Sequence, residues 1–328
     1  MYTRTLGSLP YTPNTLMAPP PVHRVSKKRP RSPDKGGTLR LVLEPPSVPA
    51  RKRRLGSHPC LHVDDHNRVL GSVNGQECLV QLDSGSQVTV LFHTLAKRLG
   101  LITGTEPTEK QEIGLWIGSR VLDVIELKAV PISLGGGVEM VVPATVFPAW
   151  LEDMYDADEV VLDAHHLRRG RMVQVFRPDG SDLFVCRPQQ LRRRPRKTKS
   201  SVEPDVLWVR QEGSEERARP MTVLLDTGAQ GFHVSERRRK LLLASRKGCR
   251  PPKRVVLDLG DGWRVNTAPL KEVASNDHDF IMGVSLLCKY GAVLDHARHT
   301  LAFKTGSRWR EVSTQGPQQA VVSTQRFH

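Results

Sequence analysis

Two short stretches, VQLDSGS at 80–86 and VLLDTGA at 223–229, each run from an apolar segment into Asp, then Ser or Thr, then Gly and a small residue. An aspartate in such a tight turn suits a site where two carboxyl groups, Asp83 and Asp226, meet in a dry cleft. Two like charges a few ångströms apart cannot both ionise cheaply, so the pair holds one proton between them. The ionised partner can then take a proton from water while the protonated one hydrogen-bonds a carbonyl oxygen, which amounts to general acid–base hydrolysis without a covalent intermediate. Gly85 and Gly228 allow the backbone to turn and pack closely. Ser84 and Thr227 bring hydroxyls able to bond across paired loops, and Ser86 and Ala229 follow as small residues. One turn supplies one carboxylate, so a second turn, from this chain or another, is required.

The elements that must position these turns read as β-strands. Between Val69 and Val185 short β-rich runs (RVLGSV, ECLVQL, RVLDVIEL, VEMVVPATVF, MVQVF) are separated by Gly, Asp, Pro and Ser, and the pattern resumes from Val206 to about Val312. The clear helical signal is FHTLAKRLGL at 92–101, where Phe92, Leu95, Ala96 and Leu99 share a face and Gly100 stands as a C-cap. Both β segments begin with a strand running into the acidic turn. Both end similarly, DEVVLDAHHL (158–167) against HDFIMGVSLL (278–287), so a diverged tandem duplication is expected.

The organisation that follows is a disordered basic, Pro-rich arm (1–58), a first lobe (59–187), a basic linker (188–205), a second lobe (206–312) and a flexible tail (313–328). The net charge of +15 resides in the arm, with its KKRPR and RKRR clusters, and in the linker, which leaves the folding parts nearly neutral. Five cysteines with no CxxC pair argue against a disulfide framework or a zinc ribbon, and no apolar run is long enough for a signal peptide or a membrane span. A soluble intracellular protein, cytoplasmic or nuclear, is expected.

On these residues the chain resembles retropepsin-type aspartic proteases, the family of gypsy-type LTR retrotransposons and retroviruses, in two copies. LVQLDSGSQVTVL followed by TLAKRLGL resembles the family's D[ST]GA turn, strand and A..LGL helix. VLLDTGAQGFHV and DFIMGVSLLCKYGAVLDHARHTLAF resemble its second turn and its ILG..LL..Y.A.ID ending, with Gly283 as the motif's glycine. The first copy departs there, since Asp163 stands in the glycine's place, and this implies distortion or weakened catalysis in that copy. The resemblance implies an all-β fold of two acid-protease β-barrel lobes that pair as an intramolecular pseudo-dimer, or as a homodimer through the second copy. It further implies Asp83 and Asp226 as the catalytic dyad, an extended polypeptide as substrate, and no cofactor. Hairpin flaps are expected at LWIGSRV (Trp116, Gly118) and LDLGDGWRV (Gly260, Gly262, Trp263).

Other signals are weaker. CLHVDDH (60–66) gathers metal-ligand types without tetrahedral spacing and reads as a polar lead-in to a strand, so no metal is expected. His165 and His166 read as surface residues, LGGGVE (134–139) as a hairpin turn, and RRRK (237–240) as a solvated helix face. The basic arm and linker suit non-specific RNA or DNA contacts through phosphates. The leading expectation is an endopeptidase processing a retroelement polyprotein. The alternatives are a decayed protease-like fold kept for binding or dimerisation, and a nucleic-acid-associating retroelement protein.

Overall fold

The computed structural model describes residues 39–43, 59–115, 118–155, 157–185, 204–211, 220–244, 255–258, 264–267, 271–273, 278–305 and 308–315. In chain order the first strands are β1 (Leu39–Leu43), β2 (Cys60–Val63), β3 (Arg68–Val73), β4 (Gln76–Asp83) and β5 (Val90–Phe92), followed by helix α1 (His93–Arg98). Next come β6 (Glu109–Leu115), β7 (Gly118–Gly135), β8 (Val138–Phe147), a 3-10 turn at Ala149–Met154, β9 (Glu159–Asp163), α2 (Ala164–Arg169), β10 (Met172–Arg177) and β11 (Gly180–Val185). The remainder comprises β12 (Val206–Gln211), β13 (Met221–Asp226), β14 (Phe232–Ser235), α3 (Glu236–Ala244), β15 (Val255–Asp258), β16 (Arg264–Asn266), β17 (Lys271–Val273), β18 (Phe280–Gly283), α4 (Val284–Lys289), β19 (Val293–Asp295), β20 (Thr300–Thr305) and β21 (Arg308–Ser313). The all-β expectation holds, with a few short helices.

Three sheets organise the strands. One runs β3-β4-β9-β5-β8-β7-β6, the second β16-β15-β1-β12-β13-β18-β14-β17, and the third β2-β11-β10-β19-β20-β21. The first two share a local motif. β4 pairs in parallel with β9, bringing Asp83 opposite Asp163, and β13 pairs in parallel with β18, bringing Asp226 opposite Gly283. In each, a strand after the acidic turn runs antiparallel to the same partner, with Val90 opposite Val161 and His233 opposite Ile281. The third sheet joins the two parts of the chain at its centre, where Val173 and Val175 of β10 face Asp295 and Val293 of β19.

Alternation of inward apolar residues makes these strands. Cys78, Val80 and Leu82 on β4 point into a core with Leu91, Leu95, Ile132, Val160 and Leu162, while Val223 and Leu225 on β13 enter another with Phe232, Phe280, Met282 and Leu287. Helix α1 is short and buries Leu95 and Ala96. Gly100 then takes φ +67° and donates to the Lys97 carbonyl, as the C-cap reading expects. LGGGVE is the β7–β8 turn, with Gly135, Gly136 and Gly137 all at positive φ. RRRK lies on α3, where Arg239 bridges to Glu272 at 2.7 Å.

Three segment readings change. Leu39–Leu43, inside the arm expected to be disordered, forms β1 between β12 and β15, because LRLVL carries enough apolar and β-branched character to add a strand. Asp205, assigned to the linker, is fully buried. At the start of the expected tail, Ser313 ends β21 and Thr314 is buried beside Asp205. The rest of the arm, linker and tail lies outside the described residues.

Candidate active site

Each acidic turn begins as a strand whose last inward leucine, Leu82 or Leu225, is buried, so the following aspartate emerges at the sheet's end. The turn then folds back onto its own carboxylate. Gly85 N–H and Ser86 N–H donate to Asp83 Oδ1 at 2.8 and 3.1 Å. Gly228 N–H and Ala229 N–H donate to Asp226 Oδ1, both at 3.0 Å. Each carboxylate is thereby fixed by two main-chain donors, which only a tight turn with a small third residue can present.

The two turns meet. Ser84 N–H donates to Thr227 Oγ1 at 3.0 Å and Thr227 N–H to Ser84 Oγ at 3.1 Å. The hydroxyls continue across, Ser84 Oγ to the Leu225 carbonyl and Thr227 Oγ1 to the Leu82 carbonyl, each at 2.7 Å. Both side chains are fully buried, so these four reciprocal bonds lie in low dielectric, where leaving one unmade is costly.

This clasp presses the glycines against the opposite carboxyls. A Cβ on Gly85 would stand 2.5 Å from Asp226 Cγ, and one on Gly228 2.6 Å from Asp83 Cγ. Glycine is required here by contact with the other turn's carboxyl group. The Asp83 and Asp226 carboxyls are thus brought together, each against the other turn's glycine, and both remain partly exposed, so water can reach them. Burial pushes Asp83 up, against the pull of the Asp226 hydrogen bond and the Gly85, Ser86 and Gly228 amides. Burial, followed by the charge and hydrogen bond of Asp83, holds Asp226 well above the usual carboxylate range. One proton shared by the pair is the state this geometry favours.

Gly283 also has a steric reason to be glycine, since a Cβ there would meet the Ala229 carbonyl oxygen at 2.3 Å. The expected awkwardness of Asp163 at the matching place is not what the structure has. Asp163 is 2% exposed and caps α2, accepting from His166 N–H at 2.9 Å, from His166 Nδ1 at 2.7 Å and from Thr89 Oγ1 at 2.7 Å. Burial alone would raise its carboxyl, but the His166 and Thr89 bonds bring it below its ordinary value. His166, read as a surface residue, is buried because Asp163 draws its ring inward, while the adjacent His165 stays partly exposed.

Beneath each turn lies a support the sequence reading did not find. Leu82 N–H donates to the Asn67 carbonyl, and the Asn67 side chain reaches the Leu82 carbonyl and receives Gln174, which also bonds Ser181. Asn67 takes φ +64°, which asparagine tolerates, and this was the available signal. On the other side Leu225 N–H donates to the Asp205 carbonyl. The Asp205 carboxylate accepts from Thr314 Oγ1 at 2.6 Å, faces His299 Nδ1 at 3.1 Å and His296 Nδ1 at 3.3 Å, and has Arg168 3.7 Å away. Burial opposes its charge, yet the histidine hydrogen bonds hold it far below the ordinary range.

Of the flap candidates, LWIGSRV falls at a hairpin: β6 and β7 pair with Leu115 opposite Gly118. Trp116 lies outside the described residues. LDLGDGWRV spans the β15–β16 pair, and Gly260, Gly262 and Trp263 lie outside the described residues. CLHVDDH is strand β2 followed by a turn in which Asp64 accepts from His66 N–H, Arg68 N–H and Arg68 Nε. No group of three or more metal-ligand side chains suited to a metal ion occurs among the described residues. No helix among them is long and apolar enough to cross a membrane.

Residues 69–167 match the family model described as Aspartyl protease. Among solved structures the chain is similar to the retroviral protease-like domain of Ddi1 from Leishmania major, with 17% identity over 32% of this chain and 77% of that one at a TM-score of 0.21. It is also similar to EIAV protease complexed with the inhibitor HBY-793, with 18% identity over 36% of this chain and 93% of that one at a TM-score of 0.23. No curated protein matches the chain in sequence.

Proposed function

Because the chain has the fold of a retropepsin-like aspartic protease, we propose that it is an endopeptidase whose catalytic residues are Asp83 and Asp226, contributed by two diverged tandem copies paired within one molecule. The observation that carries this reading is the meeting of two acidic turns clasped by Ser84 and Thr227, each glycine set against the other turn's carboxyl group. The ionised partner of the pair removes a proton from a water held between the carboxyls. The other, carrying the shared proton, donates a hydrogen bond to the scissile carbonyl oxygen. Attack gives a tetrahedral intermediate, and proton return to the amine nitrogen completes cleavage.

The substrate is an extended polypeptide, which can lie as an added strand beneath the β6–β7 hairpin. Processing of a retroelement polyprotein follows from the sequence resemblance and is the finer form of the proposal. A peptide-library digest tests it. Wild type should cleave with a bell-shaped pH profile, be blocked by a statine-type inhibitor, and lose cleavage in both Asp83→Asn and Asp226→Asn. A wild type that cleaves nothing across acid and neutral pH would overturn it.

A further inference from the structure

The register of the two turn regions allows position-by-position comparison. Asp83 lies opposite Asp163 as Asp226 lies opposite Gly283, and Val90 opposite Val161 as His233 opposite Ile281. Thr89, one residue before Val90, therefore matches Phe232, and His166 at the third residue after Asp163 matches Leu286. In the second region Phe232, Gly283 and Leu286 are buried; Phe232 and Leu286 lie in one apolar core, with Phe232 stacked on Phe280. In the first region all three positions are polar, all three are buried, and they bond to one another. Loss of a motif glycine by decay would leave a stray acid among apolar neighbours. Three matched polar replacements that satisfy each other make a built cluster.

Its placement gives the cluster a task. The Asp83 loop is held where Ala164 N–H donates to the Ser86 carbonyl at 3.1 Å, and Ser86 N–H in turn donates to Asp83 Oδ1. The loop's far end is held at Thr89, whose hydroxyl donates to Asp163 and whose carbonyl receives Thr145 N–H at 2.8 Å. In the second region the equivalent hold is main chain on main chain. Val284 N–H donates to the Ala229 carbonyl at 2.8 Å and Gly283 N–H to the Gly231 carbonyl at 2.7 Å, an approach a Cβ would block. The first region keeps the matching Ala164–Ser86 main-chain bond, but with a Cβ at Asp163 it grips the rest of its loop through the Asp163 side chain, where Gly283 reaches Gly231 by main chain.

We propose that Asp163, with Thr89 and His166, is a positioning residue for Asp83, replacing by a buried hydrogen-bonded brace the close backbone contact that Gly283 provides for Asp226. The inference rests on the proposed proteolytic reading for its catalytic consequence, but the brace itself is tested without activity. Amide exchange is followed at Gly85 and Ser86, with Gly228 and Ala229 as the internal control, in the full chain and in Asp163→Gly, Asp163→Asn and Thr89→Val.

In Asp163→Gly, exchange at Gly85 and Ser86 should rise by about ten- to a hundredfold while Gly228 and Ala229 stay as in wild type. Asp163→Asn keeps an oxygen that can accept from His166 N–H, and should lie close to wild type. Given a cleaving wild type, Asp163→Gly should lower kcat by up to about a hundredfold with KM little changed, as displacement of a reacting group does. Unchanged exchange at Gly85 and Ser86, or equal loosening of both turns, overturns the brace. If Asp163→Gly does not fold, Thr89→Val, which deletes one bond at constant shape, decides on the same exchange readout. A wild type without cleavage would sink the protease reading and leave the exchange result to judge the brace.

Discussion

Around Asp83 and Asp226 the innermost bonds are nearly superimposable in kind, with two turn amides on each carboxylate and one hydroxyl reaching across to the other strand. One step outward the two regions part. Asp83 rests on neutral amides at Asn67 and Gln174 and is flanked by the Asp163 cluster, whereas Asp226 rests on a charged Asp205 with His296, His299 and Arg168 and is flanked by glycine and apolar side chains. The difference teaches that a paired carboxyl site restricts the atoms touching the acids and leaves the scaffold free to use other chemistry. The clasp accepts either serine or threonine but needs a hydroxyl, because every partner is buried and used. The outer shell tolerates any set of groups that satisfy each other.

The sharpest way to break the comparison is to remove one acid at a time. Asp83→Asn and Asp226→Asn should each lower kcat by about 10²- to 10⁴-fold, since either loss destroys the shared-proton state. Steady-state kinetics in which only Asp226→Asn matters would mean the two regions are not partners in one site.

The next contrast lies beneath the turns. Asp205→Ala removes a buried anion from its Arg168 and strands the Thr314 and histidine hydrogen-bonding groups around it, and should cost about 3–5 kcal/mol in denaturant unfolding. Asn67→Ala, which strands neutral partners, should cost about 1–3 kcal/mol. Equal costs would erase the distinction between a charged and a neutral support.

Gly283→Ala should destabilise by about 1–3 kcal/mol, because its Cβ meets the Ala229 carbonyl oxygen of a loop already bonded at both ends. Thermal unfolding checks this, and a neutral result would show that the second region can accommodate a Cβ at this place as the first does.

The smallest effect is a difference in pH slope, on the order of a kcal/mol for each unit of pKa shift. The folded-state pKa of Asp226 is raised, so its stabilising contribution is present below the ordinary carboxyl range and is lost as pH rises through the folded value. Asp226→Asn should therefore gain on wild type as pH rises. The folded-state pKa of Asp163 is lowered, so its contribution is present above the ordinary range and is lost as pH falls through the folded value. Wild type should therefore lose its advantage over Asp163→Asn on acidification. Chemical denaturation at several pH values reads both slopes.

Much of the site was legible because it is local in sequence. An apolar strand, an acid, a hydroxyl residue, a glycine and a small residue lie within one turn, and periodicity marked the strands on either side. That Gly85 and Gly228 must be glycine was also readable, although the reason, the other turn's carboxyl group, needed the pairing. What stayed hidden was long-range. His166 carries no mark of burial in AHHLRR, and Asp205 sits at the end of a basic run that reads as linker. LRLVL at 39–43 is too short to outweigh the proline and charge around it until β12 and β15 offer edges to pair with.

By itself, then, the sequence determined the strand content, the two acidic turns and the need for them to meet, because hydrophobic alternation and turn stereochemistry act over a few residues. Only the tertiary structure decided that the two turns clasp within one chain, that Asp163 folds inward onto His166 and Thr89, and that Asp205 becomes a buried anion. Each of those depends on which groups are brought together from distant positions. A buried polar side chain is stable only once its partners have arrived.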